Sequence, residues 1–290
     1  SYGVEQERLP ILVHGPWNGD KININVNHSS QPYSSLLLAT SGQDTTTVIK
    51  TEGEAVSRRH SSLTIELMKM SGANVEFENG KAIIAPWKSN PPEKWDVPSD
   101  ASMMAFPILG CILNQTPIEI GNPVQQENAL GHEILFDHLK QFGIDKSEEI
   151  LTFVGDAHPV DIDLRDANDL LPPLAAILAL SGGGRLRGAS HAKHKESNRI
   201  ISTASLLNAF GLRCNIEDDG LSIEGFQSLK KPSALLETFG DHRIQMTAVL
   251  LATRTGGTVE GPRLHKIADP GFLQRFSTMP AEVLVKGIQR

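Results

Sequence analysis

The sequence predicts an α/β protein in two domains, assembled from repeats of one supersecondary unit. Three observations carry this. Short polar clusters open apolar, helix-like runs at Ser29-Ser30-Gln31, Ser99-Asp100, Asp169 and Gly240-Asp241-His242-Arg243. By difference of residue number, Ser30, Asp100, Asp169 and Asp241 stand 70, 69 and 72 residues apart, and self-similarity at a fixed period marks a repeat architecture. Lastly, Pro86-Trp87-Lys88-Ser89-Asn90-Pro91-Pro92-Glu93 has three prolines and no periodicity, which reads as a linker. The expected division is therefore residues 1–95, one repeat of an incomplete domain, and residues 96–290, most of a second domain.

The elements follow in the same order within each repeat. In the first, Gln31 to Ala39 is a helix, Thr45 to Lys50 a strand, and Ser61 to Met70 a helix stopped by Gly72. A hairpin follows, Val75 to Phe77 and Ala82 to Ile84 around Glu78-Asn79-Gly80. The second gives a helix over Ala101 to Leu113, a strand over Pro117 to Ile120 and a helix over Leu130 to Phe142. In the third, Leu170 to Leu180 is an unusually apolar helix with Pro172-Pro173 at its start, where proline is tolerated. Arg185 to Arg187 is a strand, Glu196 to Phe210 a helix, and Asp218-Asp219-Gly220 turns a hairpin between Leu212–Glu217 and Leu221–Glu224. The fourth supplies a helix over Ile244 to Ala252 and a strand over Gly256 to Glu260.

Composition narrows the function. A net charge of −7 with no basic stripe argues against general nucleic-acid binding. No run approaches the ~18 apolar residues of a membrane span, and no basic-then-apolar signal pattern opens the chain. The two cysteines, Cys111 and Cys214, sit in apolar or strand-like settings and read as reduced thiols of a cytoplasmic protein. Neither the cysteines nor the histidine pairs His132/His138 and His191/His194 have the setting of a metal site, and no phosphate-loop or dinucleotide fingerprint occurs.

The helix starts carry the chemistry. Free N–H groups at a helix N-terminus attract anions, and several such starts bear polar or basic residues. In His191-Ala192-Lys193-His194-Lys195-Glu196-Ser197-Asn198-Arg199, a lysine at a helix mouth is unfavourable unless an anion lies beside it. The alternative is a solvated basic loop with an ordinary ion pair. Gly240-Asp241-His242-Arg243 combines a cap, a group that exchanges protons near neutrality and a fixed cation. Asp169 reads equally as a plain N-cap or as a carboxylate that orients and deprotonates a hydroxyl. Ser29-Ser30-Gln31 is either a generic cap or a neutral phosphate cradle, and Ser99-Asp100 a structural cap.

Together, Ser29-Ser30-Gln31, Asp169-Leu170-Leu171-Pro172-Pro173-Leu174, Lys195-Glu196-Ser197-Asn198-Arg199 and Asp241-His242-Arg243 resemble the enolpyruvyl transferase family, in its shikimate branch. The resemblance covers essentially all of residues 9 to 280. It implies a two-domain inverted α/β barrel-like enolpyruvyl transferase fold built from repeated βαβαββ units. It also implies transfer of the enolpyruvyl group of phosphoenolpyruvate to the 5-hydroxyl of shikimate 3-phosphate, releasing phosphate, with no metal and no organic cofactor. Carried over by position, Ser29, Ser30, Gln31, Ser57, His60, Asp169 and Lys195 would hold shikimate 3-phosphate. Gln31, Arg199, His242, Arg243 and Arg275 would hold phosphoenolpyruvate. Asp169, Glu196 and His242 would be catalytic, Asp169 as base toward the attacking hydroxyl and Glu196 in proton transfer at the enolpyruvyl methylene.

Four departures accompany the likeness. His60 stands where the family has an aromatic residue, Asn198 where an aspartate is typical, and Arg275 near the place of a lysine. The family's N-terminal third has no counterpart, so the resemblance reads the chain as a C-terminal fragment, inactive alone and open to self-association or to a separate N-terminal segment. Two other readings stand beside it: a non-catalytic ligand-binding or partner-dependent homologue, and a UDP-N-acetylglucosamine enolpyruvyl transferase.

Overall fold

The computed structural model describes residues 19–278. In chain order the elements are β1 (Lys21–Asn25), α1 (Gln31–Ala39), β2 (Thr47–Glu52), α2 (Arg58–Met70), β3 (Val75–Glu78) and β4 (Lys81–Ile84). After an irregular stretch come α3 (Ala105–Asn114), β5 (Ile118–Glu119), α4 (Ile134–Asp137), β6 (Ile144–Ser147) and β7 (Ile150–Phe153). Then follow β8 (Val160–Asp163), α5 (Leu171–Leu180), β9 (Gly184–Arg187), α6 (Arg199–Ala209), β10 (Cys214–Glu217), β11 (Gly220–Ile223) and α7 (His242–Thr255).

The sheets show the repeat directly. One has the order β1-β2-β4-β3 and another β8-β9-β11-β10. In each, the first pair is parallel and joined by a helix, and the remaining pairs are antiparallel. The third sheet, β5-β7-β6, repeats the last three positions with antiparallel pairing throughout. One βαβαββ grammar therefore produces all three sheets, complete in two of them. The β3–β4 turn has Asn79 at φ 49° and Gly80 at φ 73°, the left-handed pair that a tight hairpin matched to strand twist requires.

Apolar side chains gather in two cores. The smaller joins β2, β3 and β4 to α1 and α2 through Leu37, Ile49, Met68, Val75 and Ile84. The larger centres on α3 and α5, which pack on each other and on α7. In α5, nine of ten residues are buried, so this helix is enclosed on every side rather than amphipathic. Pro172 and Pro173 fall in its first turn, where the missing N–H groups have no intrahelical acceptor to lose.

Four expectations need correction. The helix expected over Leu130 to Phe142 shrinks to the single turn α4, because Leu130 (φ 50°) and Gly131 (φ 100°) lie in left-handed conformations that a helix cannot continue through. Its apolar residues Leu135, Leu139 and Phe142 are buried all the same, from successive turns. The strand expected over Gly256 to Glu260 is reduced to one bridge between Leu236 and Val259, since α7 runs on to Thr255 and Gly256 (φ 76°) ends it. The α6 helix begins at Arg199 rather than Glu196, with Asn198 Oδ1 accepting from the Ile201 N–H. Finally, Gly220 belongs to β11 rather than to the hairpin turn.

Candidate active site

A cleft of about 490 Å³ opens where residues from around the two cores meet. On one side, the loop after β1 delivers Ser29 and Ser30 to the start of α1. Ser29 Oγ accepts from the Gln31 N–H at 3.1 Å and caps the helix, so the cap and the cleft wall are the same residues. Ser57, at φ 51°, turns the chain sharply into α2, whose first turn brings His60 to the cleft. On the other side stand Asn168 and Asp169, just before α5, and Lys195, shortly before α6. Seven residues expected to bind one ligand, Ser29, Ser30, Gln31, Ser57, His60, Asp169 and Lys195, thus line a single cleft.

Behind Asp169 lies a dense ionic cluster. Arg199 is buried, and carboxylates engage all three of its nitrogens. Nη1 donates to Asp169 Oδ1, Nη2 to Glu196 Oε2 at 2.8 Å, and Nε to Asp241 Oδ2 at 2.8 Å. Asp241 Oδ1 also caps α7, accepting from the Arg243 N–H at 2.9 Å. The Arg243 side chain turns back toward α3's approach, donating from Nη2 to Ser102 Oγ at 2.8 Å, and the same nitrogen lies 3.9 Å from Asp169 Oδ2. Asp169 therefore joins both arginines. It is not the cap of α5, where Leu170 holds the cap position and no side chain bonds the helix start.

Electrostatics follows from this packing. Burial pushes the Asp169 pKa up, but Arg199, Arg243 and Lys195 together outweigh it and hold the carboxyl well below the usual range. Burial and then Arg243 push the His242 pKa down, favouring the neutral ring. His242 Nδ1 and Arg243 Nε are buried without a hydrogen-bond partner, with His242 Nδ1 3.8 Å from Glu196 Oε1. Buried polar atoms left unpaired are costly, and His132, His138, Gln141 and Thr203 carry others among the described residues. Among the described residues no cluster of histidine, cysteine or carboxylate side chains could hold a metal ion.

Glu196, Arg199, His242, Arg243 and Arg275 are not among the residues that line the cleft; Arg275 Nη1 stands 3.0 Å from Asp269 Oδ1. Several site features carried no local signal. Asn168 Nδ2 lies 2.7 Å from Nε2 of the buried His191, and the His28 and His194 rings meet edge-to-face with centroids 5.1 Å apart. Ser102, which the sequence places only within the helix expected over Ala101 to Leu113, bonds to the Asp100 cap and also anchors Arg243. The histidine and asparagine contacts join segments that only the folded chain brings together.

A family model for EPSP synthase (3-phosphoshikimate 1-carboxyvinyltransferase) matches residues 2–276. The chain belongs to the EPSP synthase family. Its relatives include the 3-phosphoshikimate 1-carboxyvinyltransferase of Methanocella arvoryzae, 28% identical over 284 residues, with 95% of this chain and 66% of the relative covered. The enzyme of that name from Korarchaeum cryptofilum is 30% identical over 278 residues, covering 91% of this chain and 63% of the relative. The chain thus spans just under two thirds of the length of these curated EPSP synthase relatives. Among solved structures, EPSP synthase from Acinetobacter baumannii superimposes with a TM-score of 0.69 at 22% identity, over 89% of this chain and 62% of that one. The enolpyruvyl transferase NikO from Streptomyces tendae gives 0.64 at 16% identity, over 90% and 64%. The repeated unit described above is accordingly the enolpyruvyl transferase fold.

Proposed function

We propose that this chain binds shikimate 3-phosphate and phosphoenolpyruvate and takes part in enolpyruvyl transfer from the second to the 5-hydroxyl of the first. The supporting observation is the convergence of Ser29, Ser30, Gln31, Ser57 and His60 from one side with Asp169 and Lys195 from the other on one cleft. On this reading the two cores are two domains, divided near residue 95, and the reaction lies between them in the cytoplasm. The serine hydroxyls and the start of α1 receive the phosphate of shikimate 3-phosphate through neutral donors. Lys195 balances its charge.

Phosphoenolpyruvate would sit against Arg243 and His242, whose unpaired atoms lie beside the ionic cluster, with Arg199 reached by displacing one of its carboxylates. Arg275 enters the proposal as a further contact to phosphoenolpyruvate. The acceptor hydroxyl attacks C2 of phosphoenolpyruvate while C3 takes a proton. Phosphate then leaves as a C3 proton is withdrawn, restoring the double bond. Glu196, bonded to Arg199 and 3.8 Å from His242 Nδ1, would move those protons. Asp169 would fix the hydroxyl, and an arriving anion that draws Arg199, Arg243 and Lys195 toward itself would make this carboxylate a better proton acceptor.

Phosphate release on mixing the gene product with both substrates tests the reading, with a calorimetric titration of shikimate 3-phosphate beside it. Turnover that disappears in Glu196→Gln is expected. Saturable binding without turnover would favour the ligand-binding homologue, and neither binding nor turnover would overturn both.

A further inference from the structure

Ser57 occupies an unusual place. It is a non-glycine residue at φ 51° and ψ 42°, a left-handed conformation that persists only where surrounding structure enforces it. It heads α2 yet makes no side-chain cap bond, which leaves its hydroxyl uncommitted at the cleft. What enforces the turn comes from far along the chain. The Ser57 N–H donates to the Arg165 carbonyl at 3.2 Å, and the Arg58 N–H donates to Asp166 Oδ1 at 2.9 Å. Asp166 is thus the cap of α2, supplied from 108 residues away. Its carboxylate also grips the Arg58 side chain, with Nη2 2.7 Å and Nε 3.2 Å from Oδ2.

The charges around this contact are balanced. Arg59 pairs with Glu133 at 2.5 Å and Arg165 with Glu54 at 3.3 Å, both again spanning the junction between the cores. Arg58 is largely exposed, so its ion pair alone contributes little. The capping bond to Arg58 N–H is the stronger element, because it satisfies a helix-terminal donor with a charged acceptor. Asp166 is itself held in place. Gly131 approaches so closely that a Cβ there would stand 2.8 Å from the Asp166 carbonyl oxygen.

We propose that Asp166 is a positioning residue for the acceptor substrate, reaching across the junction to lock Ser57 in the conformation that presents its hydroxyl to the phosphate. This rests on the proposed function for its ligand, though not for its geometry. Asp166 lines the cleft beside Ser57 and Asp169, so the residue that sets the binding wall also belongs to the side that carries the reacting groups. The two bonds that hold the Ser57 turn, one to the Arg165 carbonyl and one to the Asp166 carboxylate, both come from the far side of the junction.

The test places Asp166→Ala, Asp166→Asn and Arg58→Ala in the native gene product, the same protein used for the phosphate-release assay. Asp166→Ala is expected to raise KM for shikimate 3-phosphate about tenfold or more, with kcat and KM for phosphoenolpyruvate nearly unchanged. Asp166→Asn keeps an oxygen for the Arg58 N–H and should recover much of the loss, while Arg58→Ala should cost least. Should Asp166→Ala fail to fold, the order Asp166→Asn worse than wild type on that KM alone still supports the proposal. Wild-type KM for shikimate 3-phosphate in both Asp166 variants, or a fall in kcat with both KM values unchanged, would overturn it. Hydrogen exchange at the Ser57 and Arg58 amides, measured without ligand, separates the two readings. Faster exchange in Asp166→Ala together with an inactive wild type would sink the proposed function but leave the clamp. Unchanged exchange would sink the clamp itself.

Discussion

Arg199 Nε donates to Asp241 Oδ2 at 2.8 Å, tying the first residue of α6 to the cap of α7 with both side chains buried. The same aspartate accepts from Ser197 Oγ at 3.1 Å and from the Arg243 N–H at 2.9 Å. One carboxylate therefore caps a helix, neutralises a buried arginine and sets the backbone of the next. Asp241→Ala leaves the Arg199 charge short of a partner inside the protein and should destabilise the fold by about 3–5 kcal/mol. Asp241→Asn, whose single amide oxygen can keep the bond from the Arg243 N–H or the one from Arg199 Nε but not both, should lose less. Urea unfolding of the two variants measures the difference, and equal stability of Asp241→Ala and wild type would refute the role.

Acid should weaken the fold through two groups in the same neighbourhood. Burial and Lys195 push the His191 pKa down from 6.5 to about 4. Between those values the unfolded chain binds a proton that the native chain does not, so stability falls as pH drops from 6.5 toward 4 and is constant above it. The full span corresponds to on the order of 3 kcal/mol. Asp169 acts in the same direction at lower pH: its folded pKa lies below the ordinary carboxylate range, so its contribution is present above that range and lost beneath it. Unfolding at pH 7, 5.5 and 4.5 in wild type and His191→Gln checks this. The variant should show a flatter profile over the upper window, and parallel profiles would reject the assignment.

Phosphate recognition by neutral donors gives a different prediction from recognition by cations. Ser29 and Ser30 stand at the start of α1 in the cleft. Removing one hydroxyl that donates to a charged phosphate should weaken shikimate 3-phosphate binding about tenfold, with little effect on stability, since Ser29→Ala also costs only one exposed cap bond. The affinity should depend less on salt than that of a lysine-dominated site. Calorimetric titration at two ionic strengths decides it; unchanged affinity in both serine variants would remove this wall from the site.

Much of this was legible in the sequence where signals are local. The α1 boundaries follow from Ser29-Ser30-Gln31 and the apolar run behind it, and the β3–β4 hairpin from Asn79-Gly80. The α4 region misled because its apolar spacing matches a helix while Leu130 and Gly131 take left-handed conformations that spacing does not encode. In the site, residues at helix starts were readable as anion donors one by one. Their pairing was not: Arg58 with Asp166 and Arg243 with Ser102 are set by how the sheets stack, at separations of 108 and 141 residues. Asp166 in particular has no sequence feature that distinguishes it from any loop aspartate.

Gly220 shows the same limit at the level of the fold, and it yields the sharpest stability test. After two aspartates it reads as a turn glycine, but it is the first residue of β11 and does not need left-handed backbone. Its requirement is space: a Cβ there would lie 1.8 Å from the Leu186 carbonyl oxygen of β9. That atom is backbone in the middle of a sheet and cannot swing aside. Gly220→Ala must therefore push β11 away from β9 or break the pairing of Leu221 with Leu186, both of which sit in the larger core. A loss of several kcal/mol is expected, of the size seen when a packed core is forced to accommodate an extra methyl against immovable neighbours (about 1–3 kcal/mol) plus broken ladder bonds. Asp219→Ala is the control, since it alters the neighbouring turn without adding bulk; it removes the acceptor of the Gly188 N–H and should cost about 1–2 kcal/mol. Thermal unfolding of both variants separates the readings: a turn requirement would make them comparable, whereas a spacing requirement makes Gly220→Ala much the worse.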